Sequence, residues 1–201
     1  MVGSAHILTA VLAYLAGSVP FGLLLSRMAG LGDIRSIGSG NVGATNVLRT
    51  GRKGVAAATL LLDVAKGAVP VLIAHRFGLD LAIAAGLAAV IGHNFPIWLK
   101  FRGGKGVATS FGALAAVSLP VGIACLGVWL AVAVVTRYSS LAAILAFASS
   151  PFLAWWLSGE QIAVLAALLA VLGIARHHEN IRRLLSGRES RIGGKSGPEA
   201  E

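Results

Sequence analysis

The chain alternates long apolar runs with short polar stretches. Ile7 to Leu25 is nearly unbroken apolar sequence, long enough to span a hydrocarbon core of about 30 Å, and Arg27 ends it. Leu31 to Lys53, rich in Gly, Ser, Asn and Arg, reads as a polar loop. Val55 to Ala74 is a second span, interrupted by Asp63 and Lys66, and a short turn at Phe77-Gly78 leads to a third, Leu81 to Leu99. Val107 to Val135 carries no charge at all. As one helix it would run about 44 Å, too long for one comfortable pass. Pro120 and Gly122 sit within it, so the pattern predicts a hairpin of two short spans. Leu141 to Leu157 and Ile162 to Ala175, joined by Ser158-Gly159-Glu160, complete seven.

Composition supports the pattern. The 201 residues are 56% hydrophobic and 12% charged, whereas a soluble domain has about 25% charged residues. The net charge of +9 is distributed unevenly. With seven spans, the loops at 26–53, 99–106 and 136–140 and the C-terminal tail share one face. They hold all of the 17 Lys and Arg residues except Lys66 and Arg76. The positive-inside rule then puts that face in the cytoplasm and the N-terminus outside. The expected fold is an all-α, polytopic integral membrane bundle of seven helices over residues 1–185, with a polar, disordered tail at 186–201. The start, MVGSAHILTA, lacks a basic n-region and reads as part of a retained span. The single cysteine, Cys125, excludes an internal disulfide and a cysteine metal cluster.

Three polar stretches carry candidate chemistry. In IGSGNVGATNVLRTGRK, Ile37 to Lys53, the glycines fit G-x-G-x-x-G, but no strand precedes them and a dinucleotide fold is excluded. Ser39, Asn41, Thr45 and Asn46 supply hydroxyls and amides there, and Arg49 supplies a bidentate fork for phosphate. In GHNFPIWLKFRGGKGVAT, Gly92 to Thr109, the glycines Gly103, Gly104 and Gly106 flank Lys105. Positive φ at these glycines would turn backbone N–H groups inward as an anion nest, reinforced by the helix starting at Val107. Gly106 stands where a nucleotide-binding P-loop needs Ser or Thr, and the first Gly is not correctly spaced, so nucleotide binding is not expected. His93 is either a structural residue near the helix end or a substrate contact. In RHHENIRRLL, Arg176 to Leu185, His177 and Asn180 share a helical face, while Ile181, Leu184 and Leu185 suit an interfacial helix. Glu179 is placed to pair with Arg182 or Arg183. Asp63 and Lys66, three apart inside a span, are expected to pair with each other.

Together, GSGNVGATN, GHNFPIWLKFRGGKGVAT and RHHENIRRL closely resemble the bacterial acyl-phosphate:glycerol-3-phosphate acyltransferase family, in order and spacing, as far as about Leu185. The resemblance implies a membrane enzyme of the bacterial inner membrane with its site on the cytoplasmic face. It implies transfer of a fatty acyl group from acyl phosphate to the 1-hydroxyl of glycerol 3-phosphate, giving lysophosphatidic acid and phosphate, with no cofactor and no metal. Its partners would be both substrates, membrane lipid and the soluble enzyme that makes acyl phosphate, with no nucleic acid. By motif match, Gly103, Gly104, Lys105 and Gly106 cradle phosphate, and Ser39, Arg49, His177 and Asn180 orient glycerol 3-phosphate and the reacting carbonyl. Ser140 in the RYSSL turn is a further candidate, beside Asn41, Thr45, Asn46 and His93. No general base stands out in the loops, and in this family the departing phosphate is thought to take the hydroxyl proton.

His75 and Asp80 match the H-x-x-x-x-D motif of other glycerolipid acyltransferases. The charge distribution sets them on the face away from every basic loop, and the match is read as chance. The alternative function is a transporter of a small phosphorylated solute with Asp63 and Lys66 as coupling charges. It lacks a repeat relating two halves of the chain. A nucleic-acid tether rests on the basic charge alone, with few aromatics in the loops to stack bases.

Overall fold

The computed structural model describes residues 3–193. All regular structure among them is helical: α1 (Ser4–Gly17), α2 (Phe21–Met28), α3 (Ala44–Leu48), α4 (Lys53–His75), α5 (Leu79–Asn94), α6 (Val107–Val117), α7 (Leu119–Thr136), α8 (Ser139–Ser158), α9 (Glu160–Arg176) and α10 (His178–Leu185). Single 3-10 turns stand at Ile34–Ser36 and Ile97–Leu99. In hydrocarbon each backbone N–H and C=O must be bonded within the chain, and a helix achieves this segment by segment. Five stretches are long and apolar enough to cross a membrane: Ser4–Met28, Lys53–His75, Leu79–Leu99, Leu119–Thr136 and Ser139–Ser158. A sixth is reached if α9 and α10, bent by 60° at His177, count as one. The remaining expected span, at the start of the run from Val107, is the 11-residue α6. At about 16 Å it is shorter than a straight crossing requires.

The distribution of side chains is that of a lipid-facing bundle. Small residues such as Ala85, Ala89, Ala113 and Ala166 fill the centre, and large apolar ones face out, Leu61 at 69% exposure and Val135 at 83%. Helices without a hydrophobic force between them associate through close backbone contact at small residues. The α4–α6 pair shows this at Gly67, where a Cβ would lie 2.1 Å from the Thr109 carbonyl oxygen, and at Gly112, where it would lie 2.2 Å from that of Val64.

Two breaks shape the site end. α1 and α2 are interrupted at 18–20, before Pro20 and the start of α2. Lys66 Nζ donates to the freed Val19 carbonyl at 2.8 Å and pairs with Asp63 at 2.8 Å. The expected Asp63–Lys66 pair is therefore present and buried, and it also closes the broken helix. The break in the charge-free run falls at Ser118, not at Pro120. Pro120 lies in the first turn of α7, where its missing N–H costs nothing. Gly122 instead admits close packing, since its Cβ would meet Ala115 Cα at 2.4 Å.

The tail expected to be disordered from residue 186 is placed as far as Gly193 and folds back on the body. Ile192 N–H donates to the Arg137 carbonyl at 2.7 Å, and Arg137 Nη2 donates to the Ile192 carbonyl at 2.9 Å. Hydrogen bonds to Arg137 and to polar side chains hold this segment, which its Gly-rich, polar composition did not announce. Residues 194–201 lie outside the described residues.

Candidate active site

The first polar loop is organised by one amide. Asn46, 1% exposed, sits on the short helix α3. Its Nδ2 donates to the carbonyls of Ile34 and Ile37 at 3.0 and 2.9 Å. Its Oδ1 accepts from Ser39 N–H at 3.0 Å and Ser39 Oγ at 3.3 Å. Both donors and both lone pairs are in use, so Asn46 shapes the loop and has no group left for a substrate, contrary to its place among the binding candidates. Gly38, at φ 57°, supplies the turn. A Cβ there would stand 2.6 Å from Asn46 Oδ1 and 3.0 Å from Arg49 Cδ, so the glycine lets the Arg49 stem lie flat on the loop. Arg49 and Thr45 are exposed. Asn41 Oδ1 is buried without a partner. Asp33 closes the loop base against Arg35 at 2.6 Å and Arg27 at 3.2 Å. The hydrogen bonds from Arg35 hold its carboxyl far below the usual carboxylate range.

The second loop departs from the expected nest. Of Gly103, Gly104 and Gly106 only Gly106 takes positive φ, at 79°. Lys100 at 52° and Phe101 at 63° make the left-handed turn instead, a conformation that costs non-glycine residues energy. Gly103 N–H donates to the Asn94 carbonyl and Gly104 N–H to that of His93, each at 3.1 Å. These two amides are tied to the end of α5 and cannot serve an anion. The glycines are needed for another reason: a Cβ on Gly103 would lie 2.2 Å from the His93 carbonyl oxygen, and one on Gly104 would lie 2.2 Å from His93 Nε2. Arg176 clamps the same turn from α9, donating to the carbonyls of Gly104 and Gly103 at 3.1 and 3.0 Å. The N–H groups of Lys105 and Gly106 make no hydrogen bond among the described residues. They stand at the start of α6, whose dipole favours an anion. His93 is 5% exposed and bonds Thr109 Oγ1 at 3.2 Å, with Asp63 Oδ1 at 3.9 Å. Those contacts match the structural one of its two expected roles.

The third stretch brings the loops together. The bend at His177 turns α10 across the end of the bundle and leaves His177 and Asn180 both buried, at 2% and 5% exposure. Lys105 Nζ donates to Asn180 Oδ1. His177 Nδ1 bonds the Gly173 carbonyl at 2.7 Å. That nitrogen therefore carries the proton, and Nε2 is the acceptor of the neutral ring. Burial lowers the His177 pKa to about 4, so the ring is neutral at physiological pH. Burial, with the Arg183 and Arg176 charges, lowers Lys105 to about 8. Ser140, at the start of α8, donates to Glu189 Oε1 at 2.7 Å, as does Asn180 Nδ2, while Arg183 Nε donates to Glu189 Oε2 at 2.7 Å. Burial raises the Glu189 pKa, but these three hydrogen bonds outweigh it, and the carboxyl ionises below its ordinary value. Arg49 completes the ring through Nη2, which donates to Ser190 Oγ.

Sequence reasoning missed Glu189 and Ser190, which lie in a stretch that composition marks as a polar tail, and Arg176, whose neighbours drew the attention to histidine. An open cleft of about 630 Å³ lies between the two glycine-rich loops, lined by Arg35, Ser36, Gly40, Phe101, Arg102 and Arg176, with Asp33 and Gly103. Lys105, Asn180, Ser140 and Arg49 are joined through Glu189 and Ser190, and His177 packs beneath them against the Phe147 ring. Asp80 bonds His6 at 2.8 Å, a partner other than His75. Among the described residues no group of three or more His, Cys, Asp or Glu side chains could hold a metal ion.

A family model described as glycerol-3-phosphate acyltransferase matches residues 7–187. The glycerol-3-phosphate acyltransferase of Paramagnetospirillum magneticum is 60% identical over 189 residues, covering 94% of each chain. That of Mesorhizobium japonicum is 55% identical over 189 residues, covering 94% of this chain and 97% of its own. Two crystal structures of PlsY, an integral membrane glycerol 3-phosphate acyltransferase, share the fold. The glycerol 3-phosphate form superposes with a TM-score of 0.89 at 42% identity, covering 95% of this chain and 96% of the other. The lysophosphatidic acid form gives 0.87 at 41%, covering 96% and 97%.

Proposed function

The chain belongs to the glycerol-3-phosphate acyltransferase family, and from that premise we propose that it acylates the 1-hydroxyl of glycerol 3-phosphate with a fatty acyl group from acyl phosphate, releasing lysophosphatidic acid and inorganic phosphate. One observation carries the reading: Lys105, Asn180, Ser140 and Arg49, from four separate elements, are joined into one cluster through Glu189 and Ser190, while Arg35, Arg102 and Arg176 line the cleft between the two glycine-rich loops. A cation on a compact amine and a planar guanidinium there suit two phosphate-bearing substrates.

In the reaction the acceptor hydroxyl oxygen bonds to the acyl carbonyl carbon and the carbonyl–phosphate C–O bond breaks. The phosphate leaves with the bonding pair and takes the hydroxyl proton, so no protein base is needed. Acyl phosphate is already activated, and the protein's part is to position the two substrates and balance their charge. Lys105 and the free N–H groups at the start of α6 hold one phosphate, and Arg49 the other. Neutral His177, through Nε2, accepts from the 2-hydroxyl of glycerol 3-phosphate and so helps to aim the 1-hydroxyl at the carbonyl. The acyl chain lies among the apolar helices. Ser39 adjoins Gly40, which lines the cleft, and Thr45 is exposed on the same loop.

The arrangement fits an inner-membrane protein of seven crossings, N-terminus outside, with α6 as the short crossing and the site on the cytoplasmic face. It would receive acyl phosphate from the soluble enzyme that makes it. Transport of a phosphorylated solute is disfavoured because Asp63 and Lys66 are used on each other and on the α1–α2 break.

The test is turnover by the purified protein in lipid, given glycerol 3-phosphate with palmitoyl phosphate or with palmitoyl-CoA. Lysophosphatidic acid is expected from palmitoyl phosphate alone. Product from palmitoyl-CoA alone would overturn the donor, and no product from a folded sample would overturn the acyl transfer.

A further inference from the structure

The segment from Arg188 to Ile192 crosses the end of the bundle between two glycines in the left-handed region, Gly187 at φ 71° and Gly193 at φ 72°. Arg188 turns back on α10, its N–H donating to the Arg183 carbonyl and its Nε to Ser186 Oγ, and the residues after it reach other elements. Glu189 takes hydrogen bonds from Ser140, Asn180 and Arg183. Ser190 Oγ accepts from Arg49 Nη2, a contact that closes 141 residues of chain. Arg191 stacks on the Tyr138 ring at 5.3 Å and donates to its hydroxyl at 3.2 Å. Ile192 N–H donates to the Arg137 carbonyl, and the Arg137 guanidinium donates to the Ile192 carbonyl. The family match stops at residue 187, just short of all of these.

We propose that residues 188–192 form a strap closing the acceptor side of the site, and that Ser190 is an acceptor-binding residue that shares the phosphate with Arg49. This rests on the acyl-transfer reading above, in which Arg49 holds a substrate phosphate. A segment serving stability alone would be expected to dock through apolar side chains. In this one, Ile192 is the only aliphatic residue and is half-buried, while Arg188, Ser190 and Arg191 are exposed. Arg49 lies flat on Gly38, so its fork is set by the loop and meets the Ser190 hydroxyl. A phosphate oxygen arriving at that fork comes within reach of the same hydroxyl, which then donates to it. Glu189 anchors the strap beside Ser190 and is a positioning residue, because its carboxylate is fully engaged by protein donors.

The assignment distinguishes Ser190 from its neighbours in solution. Steady-state kinetics on Ser190→Ala, in lipid, should show the KM for glycerol 3-phosphate rising about tenfold, the worth of one hydrogen bond to a charged group. The change in KM for acyl phosphate should be much smaller, and Ser190→Thr should restore most of the loss. A second measurement reads the strap directly. Trypsin cuts after Arg188 and Arg191, followed by mass spectrometry, and glycerol 3-phosphate should slow both cuts several-fold in the natural protein and much less in Ser190→Ala. An unchanged KM in Ser190→Ala, equal losses for both substrates, or cutting insensitive to glycerol 3-phosphate in an active enzyme would each overturn the proposal. Protection of the strap by glycerol 3-phosphate in a protein that forms no lysophosphatidic acid would instead overturn the acyl transfer and leave the strap standing.

Discussion

Lys105 must be charged to hold a phosphate, yet it is mostly enclosed, with Arg183 and Arg176 nearby and only Glu189 and Glu179 in compensation. Its pKa of about 8 means that it loses its proton as pH rises through that value. The KM for acyl phosphate, whose phosphate Lys105 holds, is therefore expected to be level near neutrality and to rise above about pH 8. Lys105→Arg should move that limb out of range, because a guanidinium stays charged beyond about pH 12. Kinetics from pH 6.5 to 9.5 on both proteins check this, and a limb that persists in the Arg variant would assign it to another group. Lys105→Ala and Arg49→Ala should each lower kcat/KM by about 100-fold or more, the cost of losing a preorganised charge contact. Near-normal turnover in both would refute the site. Residue types were legible before their roles. Asn46 and Ser39 were both recognisable as polar loop residues, but a side-chain amide that folds its own loop looks the same in a sequence as one that faces a substrate. The glycines around Lys105 were legible as necessary, while the reason, close packing of Gly103 and Gly104 on His93, depends on a helix end that no local pattern places.

Two intramembrane charges decide how α4 sits against α2. Asp63 and Lys66 are 2% and 7% exposed, and the ammonium also serves Val19, so each partner removed alone leaves the other buried and uncompensated. Asp63→Leu alone is expected to cost about 3–5 kcal/mol, while Asp63→Leu with Lys66→Leu should recover much of that, because both desolvation costs vanish together. Unfolding of the three proteins in one detergent checks the cycle. Acyl transfer that survives in the double variant places the pair in the scaffold, and its complete loss in a folded double variant would make the pair functional. Gly67 supplies a second test of the same helix. With the Thr109 carbonyl 2.1 Å from its would-be Cβ, Gly67→Leu should destabilise by about 1–3 kcal/mol or more through overpacking. The i,i+3 spacing made the ion pair predictable, because the low dielectric leaves few other partners. The break at Ser118 was not predictable to the residue, since Pro120 is compatible with both a turn and the first turn of a helix.

At the scale of the molecule, apolar run length and the placement of basic residues made the helical bundle legible, and three motif stretches made most of the site legible. What they could not reveal was the return of the chain after Leu185. A polar, glycine-rich segment has no periodicity, and its docking depends on partners 49 and 141 residues away, Ser140 and Arg49. Those contacts also constrain topology. Arg49, Lys105, Ser140 and Glu189 belong to one connected cluster, so the loops that carry them must open on one side of the membrane, whatever the number of crossings. The α4–α5 turn, with Arg76 and exposed Phe77, is separated from them by the length of α4, 23 residues or about 34 Å. Arg52→Cys and Arg102→Cys, each in a Cys125→Ala background, are therefore expected to label together with an impermeant maleimide, and Arg76→Cys to label from the opposite side. In intact cells Arg76→Cys should react and the other two only after the membrane is opened, which follows from the basic loops lying inside. Labelling of 52 and 102 from different sides would break the cluster apart and remove the site with it. Labelling of both from outside would keep the site and reverse its orientation.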